Sequence, residues 1–359
     1  MFSLQQLLRQ MPHWRSIVPQ GSHNVLSLIE RCHTAALGYH LYRCSDADCG
    51  HVHYQYHGCR NRHCPHCGAN RARKWMEDRL GELLPVKYFH VVFTLPHELN
   101  LLAFLNQKTI YKLLFDASAH CLRTLCADKK RLGALPSVSS VLHTWGQQLA
   151  LHPHIHCIVS GGGADKDNNW KSLKKQGSGN YLFPYKVMEP LFKGYLLAHL
   201  NKMINASMLR LPQQWEWKTL KDSLYKKEWI IHAKQPFGNA AQVIEYLGRY
   251  TQKVAISNHR IRNIDENNKV TFAYKDYADG GKPKQMTLCG EEFLKRFVRH
   301  ILPKGFVKIR HYGILGNHKR KTRVAKILEK MKLQKHPEPV KTPLVIELLT
   351  LYGKDITLC

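Results

Sequence analysis

The chain has 359 residues, which is enough for two or three domains with their own hydrophobic cores. Its 54 Lys and Arg outnumber 26 Asp and Glu, and nucleic-acid phosphates are the usual counter-charge for a net charge of +28. Residues 1–19 lack the apolar core of a signal peptide, and no apolar run is long enough to span a bilayer. These patterns exclude secreted and integral membrane proteins, so we expect a cytoplasmic protein without a membrane partner.

Composition divides the chain into three zones. Residues 1–85 contain a short amphipathic helix, a Cys/His cluster and a basic helix, and we predict a zinc-binding, DNA-contacting module there. Residues 86–260 alternate strand-like and helix-like stretches and form the predicted catalytic domain. Residues 261–359 begin with a hairpin and continue as a basic, mainly helical tail, in which residues 282–335 carry sixteen Lys/Arg against three Glu. We predict that this third zone binds DNA.

Two close pairs of cysteines mark the first zone. Cys44 and Cys49 form one pair, and Cys64 and Cys67 form the other, fourteen residues further on. Two such pairs on tight turns can complete a tetrahedral zinc site. Eleven cysteines in a reducing compartment are also poor disulfide candidates. The spacing therefore predicts a structural zinc ion held by these four thiolates.

Further metal-binding side chains lie close to these pairs. Cys59 and His63 fall between them, and Cys32 and His33 lie upstream. Cysteine and histidine at such short separations are typical zinc ligands, although a buried cysteine is an equally ordinary outcome. A second zinc ion that uses Cys59 and His63 is therefore an alternative to a single site.

The second zone has a mixed pattern of α-helices and β-strands. Apolar residues recur at helical spacing in some stretches, and β-branched and aromatic residues dominate others. The predicted elements, in chain order, are a strand at 86–95, a helix at 101–126, strands at 138–145 and 154–160, a polar loop at 161–180, a helix at 186–209, a strand at 228–233 and a helix at 239–252.

The strand at 154–160 begins with two alternating histidines. Because side chains two residues apart share a face, His154 and His156 project together, opposite Ile155. His152 has the same parity, but Pro153 is best placed at the first position of a strand, which leaves His152 just outside. Two imidazoles at this spacing can bind one divalent cation, although a structural histidine pair is the more common outcome for such a motif alone.

A third ligand for such a cation has to come from a neighbouring strand. The segment VLHTWGQQ offers His143, Gln147 and Gln148. Two imidazoles and a neutral amide would leave coordination positions for water and phosphate oxygens. That donor set suits Mg²⁺ or Mn²⁺ in phosphoryl transfer better than a closed structural zinc site.

Two tyrosines follow the histidines along the chain. Tyr246 and Tyr250 are four residues apart, so they lie on one face of a helix. An aromatic stripe in a core would show the same spacing. However, Gly248 weakens the helical pattern, and Arg249 and Lys253 place positive charge beside the phenols. A phenol that attacks a phosphodiester forms a phosphotyrosine, which conserves the bond energy for rejoining.

Six motifs occur in order between residues 32 and 312, namely CxxxxLGYHxYRC, CRNRHCPHC, LHTWGQ, HPHIHCIVSGGG, EYLGRYTQKVAISNHR and LPKGFVKIRHYG. Together they resemble the HUH tyrosine transposases of rolling-circle insertion sequences, specifically the IS91 type with an N-terminal zinc-binding domain. The match extends over most of the chain. One departure is the distance between Cys44 and Cys49, which is longer than usual in the family.

The resemblance implies an α+β protein with the HUH endonuclease fold, in which the central strands of an antiparallel sheet carry the histidine pair. It implies that His154 and His156 bind catalytic Mg²⁺ or Mn²⁺ and that Gln147 is the third ligand. Tyr246 and Tyr250 match the two nucleophile positions of the family.

By the same resemblance, the reaction is nicking of a single-stranded element end. It leaves a 5′-phosphotyrosine and a 3′-hydroxyl, and strand transfer to a target DNA follows. Element ends with short hairpins are the implied substrate. Because the sequence contains no recognisable helicase domain, host helicase or replication machinery would unwind the DNA at the bacterial nucleoid.

Binding of a single strand requires a cationic groove and aromatic platforms for the bases. Trp75, Tyr274 and Tyr312 are the candidate platforms, although each could equally be a core side chain. The candidate phosphate contacts are Arg60, Arg62, Arg71, Arg73, Arg249, Lys253, Lys295, Arg296, Arg299, Lys308 and Arg310.

Two other functions are consistent with parts of this pattern. A rolling-circle replication initiator would use the same chemistry at an origin, but it would need no zinc module of this kind. A catalytically inactive zinc-ribbon protein would bind DNA without forming a covalent adduct. The combination of the cysteines, histidines and tyrosines favours the transposase.

Overall fold

The computed structural model describes residues 2–67, 83–173, 182–237, 255–316 and 320–333, together with Gln242 and Ile346. The helices in these ranges are α1 (Leu4–Gln10), α2 (Trp14–Ile17), α3 (His23–Glu30), α4 (Asn100–Leu105), α5 (Gln107–Ala127), α6 (Tyr185–Asn205), α7 (Trp217–Lys226), α8 (Gly290–Val298) and α9 (Arg320–Lys330). The strands are β1 (Tyr39–Arg43), β2 (Val52–Tyr56), β3 (Tyr88–Thr94), β4 (Leu135–Trp145), β5 (Leu151–Ala164), β6 (Trp170–Ser172), β7 (Ile231–Phe237), β8 (Ile261–Ile264), β9 (Lys269–Asp276), β10 (Lys282–Cys289) and β11 (Ile309–Gly313).

A six-stranded antiparallel sheet carries the predicted histidine strand. Its strands lie in the order β11-β4-β5-β3-β7, and β6 pairs with the end of β5. Along β5, Ile155, Cys157 and Val159 are completely buried in the hydrophobic core. His154 and His156 therefore project from the opposite face of the sheet, because side chains alternate along a strand. The alternation predicted for this strand is confirmed.

Helices α5 and α6 cover the apolar face of this sheet. Helix α5 buries Leu114, Cys121 and Leu125 at helical spacing, which explains why this stretch forms a helix. The helix predicted at 101–126 is confirmed apart from a break at Asn106, whose side-chain amide donates to the carbonyl of Leu102. No helix in the described parts of the chain combines the length and apolarity needed to cross a bilayer.

A second core joins the two ends of the chain. Leu4 and Ile29, from α1 and α3, lie in one buried cluster with Phe272 of β9 and Phe293 of α8. The backbone N–H of Leu4 also donates to the side chain of Asn258. The predicted hairpin with its turn at 266–268 is confirmed, since β8 pairs with β9 on either side of it. The first and third zones of the sequence therefore fold against each other.

Two predicted elements differ from the structure. The segment Gly161–Ala164, predicted to begin a loop, continues β5 and pairs with β4 and β6. A Cβ atom added to Gly163 would lie 2.5 Å from the carbonyl oxygen of Leu135, so glycine permits this close pairing. Within its described residues, 261–316 and 320–333, the basic tail is also not mainly helical, because β10 joins the β8–β9 hairpin and β11 pairs with β4. Both strands need partners that are distant in sequence.

Candidate metal centres

Within the described ranges, one group of side chains suited to a metal ion consists of Cys32, Cys59, Cys64 and Cys67. The Sγ atom of Cys32 lies 3.5 Å from that of Cys67 and 3.7 Å from that of Cys64, and the Cys59–Cys67 distance is 3.8 Å. Four thiolates placed about 2.3 Å from a tetrahedral zinc ion would be about 3.8 Å apart. The sulfur positions therefore fit a closed zinc site.

Three local elements hold this cysteine cluster. Cys32 follows α3, and its sulfur accepts a hydrogen bond from the backbone N–H of Cys59, just after β2. Cys64 and Cys67 lie on the turn that follows. Cys32 and Cys64 are completely buried and pack in the same core as α1 and α3. The cluster thus connects the N-terminal helices to the loop after β2.

The thiols of the cluster affect one another's protonation. A hydrogen bond from Cys64 lowers the pKa of Cys59 to about 5. Burial raises the pKa of Cys32 to about 12. A thiolate among crowded thiols is a favourable starting point for metal binding, since Zn²⁺ displaces the remaining thiol protons.

The predicted zinc ligands Cys44 and Cys49 are not part of this group. They lie at the tip of the β1–β2 hairpin, where the backbone N–H of Cys44 donates to the carbonyl of His51. Cys59 instead follows the open end of the hairpin. The five residues of β2 span four steps of about 3.4 Å, so the tip and the open end of the hairpin are roughly 14 Å apart. The structure therefore brings Cys64 and Cys67 together with Cys32 and Cys59, and not with the partners predicted from the spacing.

His63, predicted as an alternative ligand, contacts the main body of the protein. Its Nε2 atom accepts a hydrogen bond from the backbone N–H of Leu302, and burial lowers the pKa of the imidazole to about 3. The neighbouring Arg62 donates to the carbonyls of Phe306 at 2.6 Å and Pro303 at 3.0 Å. The loop between Cys59 and Cys64 thus docks against residues 302–306. Cys59 belongs to the single cysteine cluster, and His63 lies outside it.

The second group suited to a metal ion within the described ranges consists of His143, His154 and His156. One imidazole nitrogen from each lies within 4.8 Å of the others. His143 of β4 is directly opposite His154 of β5, so antiparallel pairing brings the third imidazole to the same face of the sheet. His143 was one of three alternatives open from the sequence, and this geometry favours it.

The protonation of His154 suits metal binding. Burial lowers the pKa of its imidazole to about 4, so the ring is neutral near pH 7. Its Nδ1 atom lies 2.6 Å from the carbonyl oxygen of His152 and donates to it. This hydrogen bond leaves Nε2 as the nitrogen that can coordinate a cation.

His90 is a residue that the sequence analysis did not identify. It is buried on β3, and its Nε2 atom lies 2.8 Å from Nδ1 of His156, with the two rings nearly parallel at 3°. Metal-binding histidines commonly donate their second ring nitrogen to such a partner, which fixes their tautomer and orientation. The strand parity of YFHVVFT could have suggested His90, but its pairing opposite β5 could not be read from the sequence.

The predicted ligand Gln147 lies beyond the end of β4. Its side-chain oxygen accepts from the backbone N–H of Lys275 at 3.4 Å, and Arg260 donates to its backbone carbonyl. The carbonyl of Gln148 accepts a hydrogen bond from Arg296. These contacts direct the loop towards β9 and α8, so the structure brings His143 to the histidine pair, while Gln147 contacts the three-stranded sheet.

Several predicted site residues lie outside the described residues. They are Tyr246, Tyr250, Arg71, Arg73, Arg249 and Lys253. Among the candidate phosphate contacts that the structure describes, Arg60, Lys295 and Arg299 are exposed. Lys295 and Arg296 form ion pairs with acidic residues one helical turn earlier.

Three other candidate phosphate contacts have roles inside the fold. Arg62 is held by backbone carbonyls, as described above, and Arg310 stacks 4.3 Å from the ring centroid of Phe115. The ammonium of Lys308 lies 5.1 Å from the ring centroid of Trp145, and burial lowers its pKa to about 7. These side chains stabilise contacts between elements, which their charge alone does not indicate.

Two family models match separate parts of the chain. The first, described as "Transposase zinc-binding domain", matches residues 4–95 and includes the complete cysteine cluster. The second, described as "Putative transposase", matches residues 138–323 and includes His143, His154 and His156. Each candidate metal centre therefore lies within one matched region.

Two relatives match over most of the chain. It is 43% identical over 308 residues to "Putative transposase y4qJ" from Sinorhizobium fredii, an alignment that covers 84% of this chain and 76% of the relative. It is 30% identical over 307 residues to "Transposase for insertion sequence element IS801" from Pseudomonas savastanoi pv. phaseolicola, which covers 84% and 72%. No solved structure matches the chain. Taken together, these matches show that the chain belongs to the IS91-type transposases with an N-terminal zinc-binding domain.

Proposed function

We propose that the chain is an HUH-type endonuclease that nicks single-stranded DNA at element ends and transfers the strand by a rolling-circle mechanism. The observation that carries this proposal is the cluster of His143, His154 and His156 on one face of an antiparallel sheet. A sheet that presents a histidine pair from a central strand supports the HUH fold. The cluster lies in the region matched by the transposase family.

Tyr246 and Tyr250 are the proposed nucleophiles, and this assignment rests on the sequence. The phenolic oxygen of one tyrosine forms a bond to the scissile phosphorus, while the bond to the 3′ oxygen breaks. The phenol loses its proton, and the leaving 3′ oxygen takes up a proton to become the 3′-hydroxyl. The phosphotyrosine keeps the bond energy, so a 3′-hydroxyl on another strand can reverse the step without ATP. Two tyrosines allow two strand ends to be held during transfer.

The histidine cluster is proposed to hold the catalytic cation. A bound divalent ion would polarise the phosphoryl oxygen and align the scissile bond. Three imidazole donors suit Mn²⁺ better than Mg²⁺, which prefers oxygen ligands. With His143 in place of Gln147, we therefore propose Mn²⁺ as the better activator. The neutral state of His154 leaves its nitrogen available as a ligand.

The zinc module is proposed to have a structural role. Cys32, Cys59, Cys64 and Cys67 fill all four positions of a tetrahedral site, so no open position remains for chemistry. The loop inside this cluster docks against residues 302–306 through Arg62 and His63. Zinc would thereby stabilise the junction between the N-terminal module and the segment that leads into β11. Replication initiators with the same chemistry have no need for this junction.

The proposed DNA partners are single-stranded, hairpin-containing element ends and a target DNA. Unwinding by host helicase or replication machinery would supply the single strand at the nucleoid. The net charge of +28 supports a polyanionic partner, and exposed side chains such as Arg60, Lys295 and Arg299 are available for phosphate contacts.

A covalent-adduct assay tests the proposed chemistry. Labelled single-stranded element ends are incubated with the purified chain and Mn²⁺ or Mg²⁺, and the products are separated under denaturing conditions. We expect a protein–DNA band that is stronger with Mn²⁺ and lost with EDTA. It should also be lost in His154→Ala, His156→Ala and the Tyr246→Phe/Tyr250→Phe double variant.

Two outcomes would contradict the proposal. An adduct that persists in the double tyrosine variant would exclude both phenols as nucleophiles. DNA binding without any adduct, under every metal condition, would support the alternative of an inactive DNA-binding protein. A donor-plasmid mobility assay then separates a transposase from a replication initiator, because only the transposase moves the element end.

A further inference from the structure

The β1–β2 hairpin is unusual because all ten of its strand residues are exposed. Within the described residues it forms a separate two-stranded sheet, to which no third strand is paired. A lone two-stranded hairpin is only marginally stable in water, and the exposure of its large side chains adds a further cost. Its tyrosine, leucine and valine side chains are 37% to 53% exposed. A surface of this kind indicates a binding partner.

One face of the hairpin is rich in aromatic rings. Cross-strand pairing places Tyr39 opposite Tyr56 and Leu41 opposite Tyr54, so these four side chains share a face. The rings of Tyr54 and Tyr56 are nearly parallel, with an angle of 16° and a centroid distance of 6.3 Å. Tyr39 contacts both of them edge-on, at 5.1 Å and 5.9 Å. The tyrosines thus form an ordered group of rings on the surface.

The spacing of these rings suits nucleic-acid bases. Successive bases of a stacked strand repeat about every 3.4 Å, so two steps span roughly 6.8 Å. The centroids of Tyr54 and Tyr56 are 6.3 Å apart, so the two rings repeat along the hairpin at a distance close to that of every second base. Aromatic side chains on a sheet are a common platform for single-stranded nucleic acid.

The two strands of the hairpin contain no carboxylate, so the tyrosine face does not repel a polyanion. Arg43 is the one Lys, Arg, Asp or Glu in the two strands, and it lies opposite Val52 on the tyrosine face. The carboxylates of the hairpin, Asp46 and Asp48, are confined to the tip, where Asp46 accepts a hydrogen bond from the turn. A second copy of the chain would bring its own net charge of +28, which opposes close approach. A polyanion meets no such repulsion.

We propose that the tyrosine face of the β1–β2 hairpin binds single-stranded DNA by stacking its bases on Tyr39, Tyr54 and Tyr56. Arg43 contacts a phosphate beside the stacked bases. The site is separate from the histidine cluster and belongs to the zinc module, because β2 leads directly to Cys59. The inference rests on the proposed function in one respect only, the single-stranded nature of the DNA.

Fluorescence anisotropy with a labelled oligothymidylate of about 20 nucleotides tests this site in the zinc-loaded protein, without added Mn²⁺ or Mg²⁺ and without cleavage. The Tyr54→Ser/Tyr56→Ser double variant should bind about 10- to 100-fold more weakly, because each stacked base contributes substantially. The matched Tyr54→Phe/Tyr56→Phe variant retains both rings and should bind within about 3-fold of the parent. Zinc content and the melting transition confirm that each variant is folded.

The salt dependence separates stacking from charge. Loss of the two rings should leave the slope of the logarithm of the binding constant against the logarithm of the salt concentration unchanged. Arg43→Gln should make this slope shallower by an amount equal to about one phosphate contact. Parent-like binding by the serine variant would overturn the proposal. If the Tyr54→Ser/Tyr56→Ser variant self-associated more weakly in analytical ultracentrifugation and kept its DNA affinity, the proposal would be overturned. The tyrosine face would then bind a second copy of the chain. The assay uses the Tyr246→Phe/Tyr250→Phe background, so failure of the proposed nicking chemistry leaves its result interpretable.

Discussion

The cysteine cluster and the histidine cluster are both built from residues that are distant in sequence, but different features of the fold hold them together. Cys32, Cys59 and the Cys64/Cys67 turn come from a helix end and from loops, with sulfur–sulfur distances of 3.5 to 3.8 Å. The histidines project from paired strands, and His143 lies directly opposite His154. We expect the first site to depend on zinc for its stability, whereas the second is positioned by a sheet whose other face packs in the hydrophobic core.

This difference agrees with the roles proposed for the two sites, structural for the cysteines and catalytic for the histidines. Four sulfurs complete a tetrahedral zinc ion, so the cysteine cluster leaves no position for a substrate. Three imidazoles leave positions open on a cation that accepts further ligands, and the catalytic proposal needs those positions. The two sites should therefore respond differently to mutation.

The largest effect is expected at the cysteine cluster. Cys64→Ser removes a completely buried ligand, so zinc should fall from about one ion per chain to nearly none, and the N-terminal module should unfold. The matched control is Cys44→Ser/Cys49→Ser at the hairpin tip, which should keep its zinc. Metal analysis together with thermal unfolding measures both effects. Loss of zinc in the Cys44→Ser/Cys49→Ser control as well as in Cys64→Ser would support the ligand set predicted from the sequence spacing.

At the histidine cluster, we expect loss of metal binding without loss of the fold. His143→Ala should weaken Mn²⁺ binding and adduct formation by at least about 100-fold, because it removes a direct ligand. Gln147→Ala should change both by less than about 3-fold, since its side chain contacts Lys275 instead. Calorimetric titration with Mn²⁺ measures the affinity. The reverse order of effects would identify Gln147 as the third ligand.

A smaller effect is expected at His90, which positions His156. His90→Phe fills the buried space but cannot accept the hydrogen bond, so Mn²⁺ affinity should fall by about 10- to 100-fold. His90→Gln offers an oxygen acceptor and should recover part of that loss. Both variants should keep their zinc, because the cysteine cluster lies elsewhere. Equal affinities for the phenylalanine variant and the parent would contradict a positioning role.

The smallest effect concerns the sheet that carries the histidines. Gly163→Ala places a methyl group 2.5 Å from the carbonyl oxygen of Leu135 and should lower the free energy of unfolding by about 1–3 kcal/mol. Gly194→Ala, within α6, meets no atom within 4 Å and should raise it by about 0.5–1 kcal/mol. Denaturant unfolding compares the two variants. An unchanged free energy of unfolding in Gly163→Ala would show that β5 tolerates a wider spacing from β4.

Local patterns were sufficient to predict several elements of the fold. The helix at 101–126 and the hairpin around 266–268 rest on periodicity and turn residues, which act over a few positions. The alternation of His154 and His156 was predictable for the same reason. Strands β10 and β11 were missed because each depends on a partner strand rather than on its own composition. Lys- and Arg-rich segments resemble solvated helices when those partners are unknown.

The residues that meet at the two candidate metal centres were harder to predict than the regions of the sequence in which they lie. Sequence spacing pointed to cysteines and histidines in the correct regions, but it could not show that the hairpin moves Cys44 and Cys49 away from Cys64. Nor could it show that β4 pairs with β5 in a register that places His143 opposite His154. Ligand sets are selected by register and by the direction of hairpins, which are tertiary properties. The same holds for Arg62 and Lys308, whose contacts with backbone carbonyls and with Trp145 depend on the tertiary fold.

Anomalous X-ray diffraction from crystals grown with zinc and soaked in Mn²⁺ tests the contrast between the two sites most directly. Data collected on either side of each absorption edge identify the element at every peak. We expect zinc among the sulfurs of Cys32, Cys59, Cys64 and Cys67, and manganese among the imidazoles of His143, His154 and His156. Zinc at Cys44 and Cys49, or manganese bound by Gln147 without His143, would contradict this account.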